Sequence, residues 1–186
     1  MIHIDIFYQF FLIFISFVSN FISALAGGGA GLIQLPSLVF LGLPFSNALA
    51  THKVASVALG IGASIPHLKS NNIEYKYSLL ILLSGIPGVL LGTHIALKSP
   101  TEFSIILLGI LTLFLGFYSL NNNKLGRSNN ISELNKLKII IGSFGLFIIG
   151  FLNGYLSSGT GLFVTIWMIS IFNLSFSSSV AYTLIF

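Results

Sequence analysis

Cysteine is absent from this chain of 186 residues. The sequence therefore excludes disulfide bonds, thiol nucleophiles and thiolate metal sites, although the absence does not identify a compartment. Charge is scarce as well: 6% of the residues are Asp, Glu, Lys or Arg, against about a quarter in soluble proteins. With 55% hydrophobic residues and a mean hydropathy of +0.99, the composition predicts a protein of the lipid bilayer.

Acidic residues number four, and none lies within an apolar span proposed below. An enzyme inside the membrane needs a base with a nucleophile, or metal ligands, at membrane depth. The histidines are scattered and form no paired motif for a metal. The pI near 9.5 does not indicate nucleic-acid binding, because the basic residues lie between apolar segments. We therefore expect no enzyme, no metal, no cofactor and no nucleic-acid partner.

Apolar segments divide the chain. A helix needs about 20 apolar residues to cross the hydrocarbon core, and five segments approach that length: 6–26, 47–66, 77–97, one ending near 120, and 139–156. Residues 32–43 are apolar but too few for a crossing, so we expect a re-entrant segment there, with a full crossing as the alternative. The predicted fold is an all-α membrane protein, a polytopic helical bundle.

Basic residues predict the orientation of these spans. Lys69 and Lys76 flank one polar connection, and the loop 121–138 carries most of the other basic residues. Because basic loops stay in the cytoplasm, both should lie inside and the turn at Lys98 outside. The N-terminus is then inside if 32–43 re-enters the membrane, and outside if it crosses.

A glycine run interrupts the apolar sequence at 26–36, which reads AGGGAGLIQLP. Helix-breaking backbone at membrane depth is tolerated only where protein buries it or a watery cavity meets it. A second break follows the last long span, because FISALAGGGAGL at 21–32 corresponds to FLNGYLSSGTGL at 151–162. Two related breaks predict a duplicated broken-helix or re-entrant element.

The correspondence continues after a small length difference, where 46–51 aligns with 178–183 and Thr51 therefore with Thr183. Such a duplication is typical of transporters that bind their substrate between two repeats near the midplane. We divide the chain into a first transmembrane repeat, 1–120, a polar basic loop, 121–138, and the beginning of a second repeat, 139–186.

The second half is incomplete, because it stops at Phe186 without counterparts of the third and fourth spans. We expect a fragment or a truncated reading frame. The alternative is that another chain supplies the missing spans, and a homo-oligomer also stays open.

The first break and its surroundings, AGGGAGLIQLPSLVFLGLPFSNALATHK, resemble the signature of the TauE/SafE family of membrane proteins, also called sulfite exporter-like. The resemblance covers nearly the whole chain. It implies a multi-pass protein of the cytoplasmic membrane, built from two related halves, that moves sulfite, sulfonates or other small anions. The second copy departs from the pattern, since Ser157 and Ser158 replace a glycine pair and Ile166 stands where the first copy has Pro36.

Backbone N–H groups at the two breaks, helped by the positive end of the following helix, are suited to an anion. Hydroxyl groups, one amide and one amine near the breaks extend this candidate substrate site. The predicted residues are Gly28, Gly29, Gly31, Gln34, Thr51, Lys53, Ser157, Ser158, Gly159, Thr160, Gly161 and Thr183.

Structural roles compete with this interpretation. Glycines four residues apart permit close helix packing, and we assign Gly88 and Gly150 to packing but the paired breaks to a functional lining. Lys53 either attracts the anion or extends to the membrane surface. Thr51 alone would bond to its own helix, and His52 is better explained as a histidine of the membrane interface than as a proton-sensitive group. A non-transporting copy or an assembly subunit is the alternative function.

Overall fold

A computed structural model describes residues 6–69, 73–121 and 135–186 of the chain. These residues form α-helices and no strand, which confirms the all-α prediction. The helices are α1 (Ile6–Ala26), α2 (Ala30–Phe40), α3 (Phe45–Lys69), α4 (Tyr75–Ala96), α5 (Thr101–Asn121), α6 (Lys136–Leu156), α7 (Thr160–Phe172) and α8 (Phe176–Ile185).

Four helices contain stretches long and apolar enough to cross a membrane: Gln9–Ala26, Phe45–His67, Tyr75–Ala96 and Lys136–Leu156. They coincide with four of the five predicted spans. The fourth predicted span corresponds to α5, which has 21 residues.

The short helices α2 and α7 follow the two breaks. At 11 residues, α2 is about 16 Å long, roughly half the thickness of the hydrocarbon core. This length favours re-entry over a crossing for the segment predicted at 32–43. The 13 residues of α7 form an equally incomplete span at the corresponding place in the second copy.

The predicted polar loop 121–138 is shorter than expected at its C-terminal end. Helix α6 begins at Lys136, because the Asn135 side chain accepts a hydrogen bond from the Lys138 N–H and caps the helix. Residues 122–134 of the loop lie outside the described residues.

The two copies pack in the same order. Helices α1, α2 and α3 contact one another, α7 packs against both α6 and α8, and α8 lies against α3. Large apolar side chains on the outside of the bundle, such as Phe10, Phe17 and Leu90, are 66–71% exposed. An outer surface of this kind suits lipid rather than water.

Glycines bring α4 and α6 together more closely than side chains would allow. A Cβ on Gly88 would collide with the Phe147 carbonyl, and one on Gly154 with the Val89 carbonyl. A Cβ on Gly150 would lie 2.5 Å from the Gly85 carbonyl oxygen. The packing role assigned to Gly88 and Gly150 is confirmed, and it places the second break beside α4.

Substitution of Gly88 by Leu should destabilise the bundle by roughly 1–3 kcal/mol, because the obstacle is backbone that cannot rotate away. Gly109→Leu on α5 is the matched control, since a Cβ there meets nothing within 4 Å. The measurement is the temperature at which half of the purified protein loses its monodisperse gel-filtration peak. Equal temperatures for the two variants would contradict the close α4–α6 contact.

Candidate functional site

The two breaks lie against each other. A Cβ on Gly28 would lie 2.6 Å from Gly161 Cα, and a Cβ on Gly161 would lie 2.8 Å from Gly28 Cα. The backbone at Gly28 has a φ of 118°, a left-handed conformation that strains any residue with a side chain. The sequence correspondence between the breaks is therefore also a physical contact between them.

Both breaks end in the same cap. Gly29 before α2 and Gly159 before α7 are left-handed, with φ of 96° and 70°, and neither helix has a side-chain cap. The first N–H groups of a helix have no partner inside it, and they carry its positive end. The contact between the breaks brings the two helix N-termini to one place.

A cavity of about 570 Å³ opens beside the breaks. Its polar lining comes from both copies, and α3 of the first copy contributes part of it. The lining includes the predicted residues Gly28, Gly29, Gly31, Lys53, Ser157, Gly159, Thr160, Gly161 and Thr183. The structure thus brings together nine of the twelve predicted site residues.

The other three predicted residues lie elsewhere. Gln34 is fully buried behind the cavity, and Ser158 is fully buried with an unpartnered hydroxyl. Thr51 faces an apolar groove between α1 and α3, and its hydroxyl donates to the Asn47 carbonyl over 2.8 Å. Thr183 makes the corresponding bond to Ser179, so this intrahelical role is common to both copies.

Lys53 turns into the bundle rather than toward the membrane surface. Its Nζ donates to the Gly154 carbonyl over 3.1 Å, and the Thr93 hydroxyl donates to the same oxygen over 3.2 Å. Gly154 lies in the last turn of α6, where carbonyls lack helical partners and a cation is favoured. An ammonium has three donors, so the remaining ones are available to the cavity.

The His52 side chain is 2% exposed, so it packs inside the bundle and does not face lipid or water on the outer surface. Its Nε2 lies 2.8 Å from the Ser157 carbonyl oxygen in the second break, and its Nδ1 lies 2.8 Å from Gln34 Oε1. Gly31 makes this approach possible, since a Cβ there would lie 2.7 Å from His52 Nε2. The imidazole therefore joins α3, α2 and the second break at the cavity wall.

A second polar link ties the first break to α7 and α8. The Thr165 hydroxyl donates to the Gly27 carbonyl over 2.9 Å and lies 2.7 Å from the Thr183 hydroxyl. Thr165 corresponds to Leu35 in the first copy. Because the two aligned residues differ in polarity, comparison of the copies could not identify Thr165 as a polar residue of the site.

Ser23 and Asn153 line the cavity although sequence reasoning did not select them. They occupy the same position in the two copies of the aligned stretch, one turn before each break. Polar residues at matched positions of both copies were a signal that could have identified them. Asn153 Oδ1 accepts a hydrogen bond from the Thr160 hydroxyl at 3.1 Å, so it also orders the start of α7.

A family model described as "Sulfite exporter TauE/SafE" matches residues 12–186. The chain belongs to the TauE/SafE family. The resemblance inferred from residues 26–53 is therefore confirmed, and the match extends through the second break to Phe186.

Curated relatives of this TauE/SafE chain have similar names. "Probable membrane transporter protein" of Haemophilus influenzae is 29% identical over 171 residues, 90% of this chain and 65% of the relative. "Probable membrane transporter protein ORF9" of Sinorhizobium sp. is 24% identical over 93% of this chain and 65% of the relative. "Probable membrane transporter protein YfcA" of Escherichia coli K12 is 26% identical over 88% and 61%.

The chain thus spans a little under two thirds of the length of these relatives. No solved structure matches it significantly. The relatives' names and the apolar helices agree on a multi-pass membrane protein.

The absence of cysteine allows the cavity of this TauE/SafE protein to be tested without background labelling. Ser56→Cys and Ser64→Cys should react with a membrane-impermeant methanethiosulfonate, because both positions line the cavity. Ala58→Cys is the control, since it lies in the apolar groove between α1 and α3, where a thiol stays protonated. We expect its labelling rate to be at least about tenfold slower. Labelling of Ser56→Cys and Ser64→Cys as slow as that expected for Ala58→Cys would contradict a water-filled cavity.

Proposed function

We propose that the cavity between the two breaks binds a small oxyanion and that the chain transports it across the cytoplasmic membrane. The observation that carries the proposal is the charge of the lining. Lys53 and two helix N-termini without a side-chain cap meet there, and no Asp or Glu side chain of the described residues lines the cavity. An unbalanced positive charge at membrane depth is costly, and a bound anion would offset that cost.

The hydrogen-bonding groups suit oxygen atoms of the ligand. The Asn153 amide adds N–H donors to the backbone N–H groups of the breaks, whereas the hydroxyl hydrogens of Ser56 and Thr160 already bond to the His52 carbonyl and to Asn153 Oδ1. A sulfonyl or carboxyl group accepts several such bonds at once, and bonds to a charged acceptor are the strong ones. These donors therefore support an oxyanion rather than a halide.

Part of the cavity lining is apolar. In the duplicated alignment, Leu184 and Ile185 stand where the first copy has His52 and Lys53, and both line the cavity together with Val89. A volume of about 570 Å³ exceeds the needs of a bare sulfite ion. These features favour an organic anion, such as a sulfonate or carboxylate with a short apolar part, over a fully hydrated ion.

The site lies between the two copies, the arrangement expected if one repeat moves against the other around a central ligand. Helices α1 to α3 provide the first break and the basic residue, and α6 to α8 provide the second break. Alternate exposure would require the Gly28–Gly161 contact to act as a pivot, since it joins the two halves directly.

Replacement of Lys53 by Met should weaken anion uptake, because a unit charge about 5 Å from the ligand contributes roughly 3 kcal/mol at an effective dielectric constant of about 20. The expected rise in half-saturating concentration is one to two orders of magnitude, with a smaller rise for Lys53→Arg. The measurement is uptake of radiolabelled sulfite and of a short alkanesulfonate into proteoliposomes containing the chain.

Lys98→Met is the matched control, because Lys98 is exposed in the turn after α4. Uptake of neither anion by the unsubstituted chain would contradict the proposed transport and favour an assembly role. Uptake that is equal in the Lys53 and Lys98 variants would exclude Lys53 from the site.

A further inference from the structure

The second break turns at a residue that is not glycine. Ser157, which follows α6, has a φ of 57°. This left-handed conformation crowds the Cβ of any residue with a side chain, so glycine usually occupies it at the end of a helix. The first copy has Gly27 at the aligned position, with a φ of 77°. The second break therefore makes the turn of the first with backbone strain that glycine avoids.

Hydrogen bonds hold Ser157 on both of its sides. Its N–H donates to the Asn153 carbonyl over 2.9 Å and closes the last turn of α6. Its carbonyl oxygen lies 2.8 Å from His52 Nε2. The φ and ψ angles of a residue relate the two rigid peptide planes that flank it, so a bond on each plane fixes the conformation. His52 holds the plane that lies beyond the end of α6.

The bond between His52 and Ser157 has one possible direction. A carbonyl oxygen only accepts, so Nε2 carries a proton. Nδ1 contacts the Gln34 amide over 2.8 Å, and an amide can present either its oxygen or its N–H there. Both orientations of Gln34 leave the proton on Nε2 in place. A Cβ on Gly31 would lie 2.8 Å from the Ser157 oxygen, so this glycine leaves room for the bond.

The first break is held in the same way, by the other copy. The Gly27 N–H donates to the Ser23 carbonyl over 3.0 Å, and the Gly27 carbonyl accepts from the Thr165 hydroxyl over 2.9 Å. In each break, the carbonyl of the left-handed residue thus accepts a bond from a side chain of the opposite copy. The two bonds correspond in role, but the bond from His52 holds a strained residue and the bond from Thr165 holds a glycine.

Ser157 lies three residues before Thr160, where α7 begins. Its conformation decides the direction in which the chain leaves α6, and hence where the first N–H groups of α7 point. We propose that His52 is a positioning residue, whose Nε2 N–H holds Ser157 in the left-handed conformation and so directs the N–H groups at the start of α7 toward the cavity. The consequence for anion binding rests on the proposed function.

Two substitutions of His52 separate its ring nitrogens. The side-chain amide nitrogen of glutamine reaches the place of Nε2, whereas that of asparagine reaches only the place of Nδ1. His52→Asn therefore removes the donor to Ser157, and His52→Gln is the conservative variant that keeps it.

Hydrogen–deuterium exchange of the chain in lipid nanodiscs, measured by mass spectrometry, tests the restraint without any anion. Amides at 157–162 should exchange at least about tenfold faster in His52→Asn, because the loss of one hydrogen bond increases the open population by about that factor. The increase in His52→Gln should be less than about threefold. The Ile139 N–H, bonded to the Asn135 carbonyl at the start of α6, is the internal control. Equal exchange at 157–162 in His52→Asn and the unsubstituted chain would overturn the restraint.

A second substitution distinguishes positioning from direct contact with the anion. His52→Asn should raise the half-saturating concentration for uptake of a short alkanesulfonate into proteoliposomes at least about tenfold. Addition of Ser157→Gly should lower it to within about threefold of the unsubstituted value, because glycine adopts a positive φ without a restraint. Residue 157 lines the cavity, so water can bond its carbonyl in the double variant.

Asn173→Gly is the matched control for this rescue. Asn173 is exposed and also left-handed, with a φ of 53°, but it follows α7 at the end opposite the break. Its replacement relieves the same kind of strain and should leave the uptake defect of His52→Asn unchanged. Equal rescue by the two glycine substitutions would indicate general stabilisation and overturn the positioning role. Absence of rescue by Ser157→Gly would indicate direct contact of His52 with the anion and overturn it as well.

The two proposals fail separately. If the unsubstituted chain takes up no anion, the proposed function falls, and exchange at 157–162 still decides whether His52 holds the second break. If the chain takes up the alkanesulfonate and His52→Asn changes neither uptake nor exchange, the proposed function stands and the positioning role falls.

Discussion

The contact between Gly28 and Gly161 is the constraint on which the rest of the site depends. A broken helix exposes backbone groups that lipid cannot satisfy, so each break needs cover from protein or water. Here each break covers the other, with main chain against main chain and no room for a Cβ. The contact brings the N-termini of α2 and α7 together, places Ser157 within reach of His52 and leaves the cavity beside it.

The two copies share a backbone plan but contribute different chemistry. Both have a left-handed glycine before the short helix and a threonine bonded to its own helix in the next one. The first copy then provides His52 and Lys53, whereas the second provides Leu184 and Ile185 at the aligned positions. The cavity lining consequently combines basic side chains from the first copy with apolar ones from the second, which a symmetric pair of repeats would not produce.

Much of the fold was predictable because hydropathy reports the length of each span directly. The segments expected at 6–26 and 139–156 correspond to α1 and α6, and the short segment at 32–43 corresponds to α2. The expected loop 121–138 and the structure differ in where α6 begins, since Asn135 caps a helix that starts at Lys136. A hydropathy average cannot detect a capping bond made by one side chain.

The sequence by itself determined that this is a multi-span helical protein of the TauE/SafE family with two related breaks, because length, apolar content and glycine spacing are properties of the linear chain. The tertiary structure decided which residues face the cavity. Neighbours on a helix point about 100° apart, so Thr51 faces an outer groove while His52 and Lys53 face the second break. That rotation follows from how α3 packs against α2 and α8. The bonds of His52 to Ser157 and of Lys53 to Gly154 join residues more than a hundred positions apart.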